Sequence, residues 1–290
     1  MSRDTSRFWL IVLFVVAGLT LLIGFAPVFA QEPVTGATIP PDQTPVYLPL
    51  ISAAPPTPTP QPRHFDSVPV EGGGFDGPAE TSPDLNLSIR SYSSTTAYLG
   101  LVNYGGDTDP NAPQIAGMFQ PARLPSFIAA HRVYDWNWNC NPPTGCRGSP
   151  IDTYAVTLLE MKAPIGEGIA MPSRGPKIRD NFVGMVLYAE PNRITFVYLS
   201  ADTPAQGYLV HVEDVAIAPE LVALYRKLNS EGRRRLPALR NGEVFGVVDK
   251  GMIKIAMRDT GSFLDPRACK DWWMDYMDQC KVQLQRPARP

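Results

Sequence analysis

The sequence predicts a mainly β domain, a barrel or sandwich of short antiparallel strands with one helix inserted between them. Apolar and polar residues alternate with a period of two over several short segments, which is typical of strands. Proline and glycine separate these segments; the 290 residues include 31 prolines and 23 glycines. Only one segment repeats its apolar residues with the period of a helix. Short, closely spaced strands of this kind indicate an all-β architecture.

The first 30 residues are predicted to be a secretory signal peptide. Arg3 and Arg7 precede the apolar run Phe8–Ala26, and Val28–Ala30 has the V-x-A pattern of a cleavage site. The alternative is an uncleaved membrane anchor, because the apolar run approaches the length of a bilayer span. In both cases we expect the rest of the chain outside the cytoplasm, with membrane contact only through this segment.

Residues 31–84 are predicted to be a proline-rich, disordered linker. Ten prolines lie between Gln31 and Pro62, and almost no apolar residue there follows a helical or strand period. Such a composition favours an extended, polyproline-like spacer. We expect this spacer to hold a folded domain, residues 85–290, away from the membrane or cell surface.

The strands of this domain are predicted from short alternating segments, and the helix from a single amphipathic one. The predicted strands are Leu85–Ile89, Ala97–Leu101, Tyr154–Met161, Phe182–Tyr188, Arg193–Leu199, Tyr208–Val212, Val244–Val248 and Met252–Met257. The helix is predicted to begin at Pro219, because proline suits the first helical position. Its apolar face contains Leu221, Leu224, Tyr225 and Leu228.

The charge of the chain argues against nucleic acid as a partner. Lysine and arginine number 26 and aspartate and glutamate 28, so the net charge is −2. A nucleic-acid-binding surface would need an excess of basic residues. The sequence also contains no G-x-S-x-G, P-loop or H-E-x-x-H motif.

The four cysteines, Cys140, Cys146, Cys269 and Cys280, fit an oxidising compartment. None has C-x-x-C spacing, which argues against a cysteine zinc site. Of the three pairings that four cysteines allow, Cys140 with Cys146 closes the shortest loop. That pairing leaves Cys269 and Cys280, which a continuous helix would hold about 16 Å apart. A disulfide needs a shorter distance, so we expect a bend between them if this pair exists.

A second group of motifs lies between residues 127 and 266. His131 and Asp135 have the spacing H-x-x-x-D, and a turn-rich segment follows at Ala163–Met171. The turn Gly242–Gly246 has the form G-x-x-x-G and precedes an alternating strand that ends at Arg258. In this order the motifs resemble those of the lysostaphin-type (LytM-type) zinc endopeptidases, which cut peptidoglycan cross-bridges.

This resemblance implies a β fold with a zinc site. In that family the H-x-x-x-D pair supplies two zinc ligands, which correspond here to His131 and Asp135. An H-x-H pair on the last core strand corresponds to Met252 and Lys254, and neither of these side chains is a zinc ligand. The resemblance therefore implies a domain without a cofactor that has lost catalysis and acts as a binding or structural module.

In this non-catalytic interpretation Lys254 takes the place of the metal. Its ammonium group is predicted to contact Asp135, because a buried carboxylate without a cation is costly to desolvate. The alternative is an active zinc endopeptidase that cuts peptidoglycan, with His211 joining His131 and Asp135 as the third ligand. A strand histidine such as His211 is more often a half-buried residue with a backbone partner.

Four tryptophans support a third hypothesis, a carbohydrate-binding β sandwich. Trp136, Trp138, Trp272 and Trp273 would form a platform on which sugar rings stack. Clustered tryptophans are more often part of a core. The partners expected from these hypotheses are peptidoglycan or a cell-surface polysaccharide, and the expected location is the cell surface or the medium.

Overall fold

A computed structural model describes residues 63–72, 75 and 77–282, and these residues form a mainly β structure, as the sequence predicts. The predicted signal peptide and the proline-rich part of the predicted linker, up to Pro62, lie outside the described residues. No helix in the described part of the chain has the length and apolar character needed to cross a membrane.

The described residues contain sixteen strands and three short or medium α-helices. The strands are β1 (Asp66–Pro69), β2 (Tyr92–Thr95), β3 (Val102–Asn103), β4 (Phe127–Asn137), β5 (Cys146–Pro150), β6 (Leu158–Lys162), β7 (Gly168–Ala170), β8 (Phe182–Glu190), β9 (Arg193–Val197), β10 (Tyr208–Glu213), β11 (Ala216–Ile217), β12 (Arg235–Arg240), β13 (Val244–Val247), β14 (Met252–Asp259), β15 (Ser262–Leu264) and β16 (Lys281–Val282). The α-helices are α1 (Leu87–Arg90), α2 (Pro219–Ser230) and α3 (Cys269–Trp272), and 3₁₀ turns lie at Ala79–Thr81, Ile115–Met118 and Met274–Gln279.

Eleven of these strands form one antiparallel sheet. Its order is β1-β12-β8-β9-β10-β14-β6-β4-β2, with β15 paired to β14 and β5 paired to β4. A separate three-stranded sheet has the order β11-β13-β7, and β16 pairs in parallel with β3. The strands β8 and β9 form a hairpin in which Glu190 lies opposite Arg193, so a two-residue turn joins them.

The main core is centred on β8, which lies between β12 and β9. All residues from Phe182 to Ala189 are buried, because α2 also packs against this part of the sheet. A second, smaller apolar cluster contains Leu87, Val133, Leu158, Ala256 and Phe263. It joins α1, β4, β6, β14 and β15, which are the elements that position the candidate site.

The folded domain begins earlier in the chain than the predicted boundary at residue 85. The strand β1 pairs with β12, with Asp66 opposite Ala238. Phe65 and Val68 are buried, as is Ala79 in the segment that follows. The described residues from Phe65 onward therefore belong to the domain rather than to a linker. The glycine-rich segment after β1 gives this region the composition of a linker, so composition alone does not identify the strand.

The predicted helix from Pro219 is confirmed as α2. The predicted strand at Leu85–Ile89 is wrong, because the chain forms α1 there. The side chain of Asn86 accepts a hydrogen bond from the backbone N–H of Ser88 at 3.2 Å and caps this helix. The predicted strand at Ala97–Leu101 is also wrong; that segment is irregular and joins β2 to β3.

Both disulfides join the cysteines that are closest in sequence. The Cα atoms of Cys140 and Cys146 are 5.7 Å apart, and those of Cys269 and Cys280 are 6.3 Å apart. Between the second pair, α3 ends at Trp272 and a separate 3₁₀ turn follows, so the expected bend is present. Two disulfides indicate an oxidising, extracytoplasmic setting.

Candidate functional site

An open groove of about 1040 Å³ lies beside the β4–β5 hairpin. Its other walls are the segment 151–154, which follows β5, and β15 with the turn before it. Pockets for small molecules usually have volumes of about 300–1,000 Å³. The volume of this groove is therefore at the upper end of that range.

Two tryptophans at the end of β4 line the groove. Trp136 and Trp138 are two residues apart, and their ring centroids are 6.3 Å apart with an interplanar angle of 66°. Trp138 is 49% exposed, whereas Trp136 is half-buried and donates a hydrogen bond from Nε1 to the carbonyl oxygen of Thr144 at 3.2 Å. Trp136 is thus fixed, and Trp138 offers its ring to solvent.

The hairpin that carries the tryptophans is constrained in two ways. The Cys140–Cys146 disulfide closes its end, next to the pair formed by Asn137 and Cys146 in the two strands. Gly145 has φ = +70°, and a Cβ atom there would lie 2.3 Å from Nε1 of Trp136. A glycine is therefore required at this position for the indole to pack against the turn.

The groove also contains many polar groups. Hydroxyl, amide and carboxylate side chains line it, at Asp135, Asn137, Asn139, Ser149, Asp152, Thr153 and Tyr154. The phenol of Tyr154 has a raised pKa, first because it is partly buried and then because Asp271 and Asp265 are near. Aromatic rings beside hydrogen-bond donors and acceptors suit a ligand that has apolar faces and hydroxyl groups along its edges.

Arg90 and Phe263 form part of the groove lining below the tryptophans. The Arg90 guanidinium donates from Nε to the carbonyl oxygen of Pro83 at 2.9 Å and from Nη2 to Asp84 at 2.7 Å. It also lies 5.4 Å from the ring centroid of Phe263, and the Arg258 guanidinium lies 4.8 Å from the same centroid. These contacts hold Phe263 in place between two cations.

Asp84 balances the charge of the two arginines. Its carboxylate lies 2.7 Å from Arg90 Nη2 and 3.0 Å from Arg258 Nη2. Burial alone would raise the pKa of Asp84, but Arg258 and Arg90 outweigh burial and lower it. Asp84 is therefore ionised at neutral pH, and the cluster is held together by charge-assisted hydrogen bonds.

His211 lies beneath Phe263 and is fully buried. Its ring is stacked against Phe263, with centroids 6.0 Å apart and an interplanar angle of 16°. The Thr195 hydroxyl donates to the carbonyl oxygen of Leu85 at 2.7 Å, so the contact of 2.8 Å between Thr195 Oγ1 and His211 Nδ1 requires a proton on Nδ1. Nε2 has no hydrogen-bond partner among the described residues. The expected backbone partner is thus replaced by a side chain.

His131 belongs to a different polar cluster. Its Nε2 lies 3.3 Å from Glu160 Oε2, and Lys254 Nζ lies 3.6 Å from the same oxygen. Lys254 also donates a hydrogen bond to Asp214, which accepts a second one from Lys250 at 2.7 Å. The sheet register causes this arrangement, because Lys254 lies directly opposite Glu160 of β6.

The predicted contact between Lys254 and Asp135 is wrong. Lys254 is bonded to Asp214 and lies beside Glu160, whereas Asp135 lies in the groove, 3.7 Å from Arg90. The side chain of Asp135 is 72% exposed, so no buried carboxylate there needs a lysine. The groove residue Asp135 and the sheet residue Lys254 belong to separate clusters.

The proposed zinc ligands are also separated. His131 and Asp135 both lie on the continuous strand β4, where four residues span about 13 Å. His211 is in the buried cluster under Phe263. Among the described residues, no group of three or more His, Cys, Asp or Glu side chains is placed to hold a metal ion. His131, Asp135 and His211 therefore do not fit a zinc site, for which ligand distances near 2 Å are required.

Trp272 and Trp273 are core residues and do not form a surface platform. They are 1% and 0% exposed. Their indole nitrogens donate to the backbone carbonyl oxygens of Asp265 and Pro266 at 3.0 and 2.9 Å. Of the four tryptophans predicted to form a platform, only Trp136 and Trp138 therefore line the groove.

No sequence pattern predicts that several of the groove residues lie close together. Arg90, Phe263 and the pair Asp152 and Tyr154 come from three separate segments, which the fold brings to one surface. Comparison with known proteins finds no matching family model, no similar curated protein and no similar solved structure.

Proposed function

We propose that this domain is a non-catalytic binding module of the cell exterior that holds a carbohydrate chain in the groove next to Trp136 and Trp138. The observation that carries the proposal is the pair of tryptophans on a disulfide-closed hairpin, beside a row of hydroxyl, amide and carboxylate groups. A rigid aromatic surface binds at a low cost in conformational entropy.

The size and chemistry of the groove support this class of ligand. A volume of about 1040 Å³ is suited to several sugar rings of one chain. The two disulfides support a role outside the cytoplasm, with residues 1–30 as the secretion signal. Peptidoglycan is our first candidate among cell-surface polysaccharides, because the order of motifs in residues 127–266 resembles that of the lysostaphin-type endopeptidases.

The proposal is tested by binding to insoluble peptidoglycan and to soluble oligosaccharides made from it. We expect Trp138→Ala to weaken binding about tenfold or more, because the ring would be buried against a sugar and burial of such a side chain contributes about 1.5–3 kcal/mol. Affinity would be measured by co-sedimentation and by calorimetry.

Tyr98→Ala is the matched control for this variant. Tyr98 is 45% exposed, close to the 49% of Trp138, but it does not line the groove. We expect this control to bind like the wild type. If no polysaccharide binds, or if Trp138→Ala binds as tightly as the wild type, the proposed function is wrong.

A further inference from the structure

The charges in the groove are unevenly distributed. Asp135, Asp152 and Arg90 are the charged side chains that line it. The Arg90 guanidinium is only slightly exposed and is already occupied by Pro83, Asp84 and the carbonyl oxygen of Tyr134. The two carboxylates are exposed. A ligand in the groove therefore meets negative charge.

The two carboxylates differ in the hydrogen bonds and ion pairs that they make within the protein. Asp135 accepts a hydrogen bond from the backbone N–H of Trp136 at 2.8 Å and lies 3.7 Å from Arg90 Nη1. Asp152 makes no hydrogen bond or ion pair with any described residue. Of the two, Asp152 has the greater capacity to accept a donor from a ligand.

The neighbouring arginines are directed to other partners and do not pair with Asp152. Arg147 of β5 donates from Nη2 to the carbonyl oxygen of Ile89 at 3.1 Å and lies over the ring of Tyr134, and it does not line the groove. At the other wall, burial and then the nearby Asp271 and Asp265 raise the pKa of Tyr154. Asp265 is itself paired with Arg267 at 2.6 Å, so the negative charge that faces a ligand is that of Asp135 and Asp152.

We propose that the groove binds a glycan more tightly where its amines are free and protonated than where they are acylated, so that within peptidoglycan it favours N-deacetylated stretches. Asp152 is the main specificity-determining residue and Asp135 the second. This inference rests on the proposed carbohydrate-binding function. A protonated amino sugar would stack its apolar face on Trp138 and direct its ammonium group to a carboxylate. A uronic acid or a sulfated sugar would be repelled by the same carboxylates.

The test compares three oligosaccharides of equal length: a glucosamine oligomer, its N-acetylated counterpart and an oligogalacturonate. Calorimetry would be carried out on the full secreted chain at low ionic strength and at a mildly acid pH, where the amines are protonated. We expect the glucosamine oligomer to bind about 1.5-fold to fivefold more tightly than the N-acetylated one, the range that exposed ion pairs provide. We expect the oligogalacturonate to bind weakest, and the preference to decrease as salt is added.

Variants identify the residues responsible. Asp152→Asn keeps the shape of the side chain and removes its charge, and we expect it to abolish most of the preference for the free amine. It should lower the affinity for the glucosamine oligomer more than the affinity for the N-acetylated one. Asp107→Asn is the control, because Asp107 is an exposed carboxylate that does not line the groove. This control should keep the full preference.

The outcomes separate the two proposals. Equal binding of the glucosamine and N-acetylated oligomers, with both sensitive to Trp138→Ala, would overturn the inference about charge and leave the proposed function intact. A preference that persists in an Asp135→Asn, Asp152→Asn double variant would also overturn it. The absence of binding for all three oligosaccharides and for peptidoglycan would contradict the proposed function itself.

Discussion

Burial holds His211 in its neutral form. The pKa of its imidazole is well below 6.5, first because the ring is completely buried and then because Arg258 and Arg90 are near. Two charged groups act on it from the packed elements, Arg258 on β14 and Arg90 on α1, and both of these are paired with Asp84. The unfolded chain binds a proton at His211 below pH 6.5 and the folded protein does not, so the free energy of unfolding falls as the pH falls.

We therefore predict that His211→Asn reduces the acid sensitivity of the fold. Between pH 6.5 and about pH 5, protonation of His211 in the unfolded chain should lower the free energy of unfolding of the wild type by up to about 2 kcal/mol. The amide of asparagine can still donate to Thr195 Oγ1, which now accepts from His211 Nδ1. Urea unfolding at about pH 7.5 and about pH 5 would measure the change in each protein.

The wild type and the variant are compared by how steeply the free energy of unfolding changes with pH. Its absolute value is not compared, because the substitution also changes packing under Phe263. His64→Asn is the control, since the His64 side chain is 87% exposed. This control should show the same pH dependence as the wild type. Equal slopes for the wild type and His211→Asn would show that the buried ring does not cause the acid sensitivity.

At the scale of one element, the β4–β5 hairpin connects the sheet to the groove. Its inner part, near Ala130 and His131, pairs with β6, and its outer part, near Trp136, pairs with β5. The outer part therefore lacks the support of the large sheet on its second edge. The Cys140–Cys146 disulfide replaces that support by closing the loop.

We predict that the double variant Cys140→Ser, Cys146→Ser loses ligand affinity. Removal of a disulfide that closes a short loop increases the conformational entropy of the unfolded or opened hairpin. This increase lowers stability by about 2 kcal/mol. Trp136 and Trp138 would then no longer be held in one arrangement, and binding would have to order them. Calorimetry with a peptidoglycan oligosaccharide and thermal unfolding of the same samples would measure both effects.

The second disulfide provides the control. Cys269 and Cys280 lie away from the groove, and Cys269 is completely buried. Their double serine variant should lose about 3 kcal/mol of stability but should keep its ligand affinity while folded. If both double variants lose affinity equally, the role assigned to the hairpin is incorrect.

Local sequence patterns were sufficient for several elements of this fold. The i, i+3, i+4 spacing from Leu221 predicts α2, and alternation predicts β8, β9, β10 and β14, because these signals depend on neighbours in sequence. The alternation at Leu85–Ile89 is misleading because a single cap at Asn86 starts a helix there. The secondary structure of short segments depends more on such individual contacts than on the period of their apolar residues.

The candidate site was less accessible to sequence reasoning. His131 and Asp135 match a motif by spacing, but an extended strand places them too far apart to share an ion. Trp136 and Trp138 were identified because they lie only two residues apart in sequence. Arg90 and Phe263 were not, because the contacts that bring them to the groove join segments more than 100 residues apart.

At the scale of the whole molecule, β1 connects the chain that follows Pro62 to the sheet. This strand covers the edge of β12, and Asp66 forms an ion pair with Arg240. We predict that a chain beginning at Glu71, which lacks β1, is less stable than one beginning at Arg63 by about 3–6 kcal/mol. This is the contribution expected from burying Phe65 and Val68. Loss of β1 also leaves β12 as an open edge, which favours aggregation. Urea unfolding and size-exclusion chromatography of both chains would measure these effects, and equal stability would mean that the folded unit begins after β1.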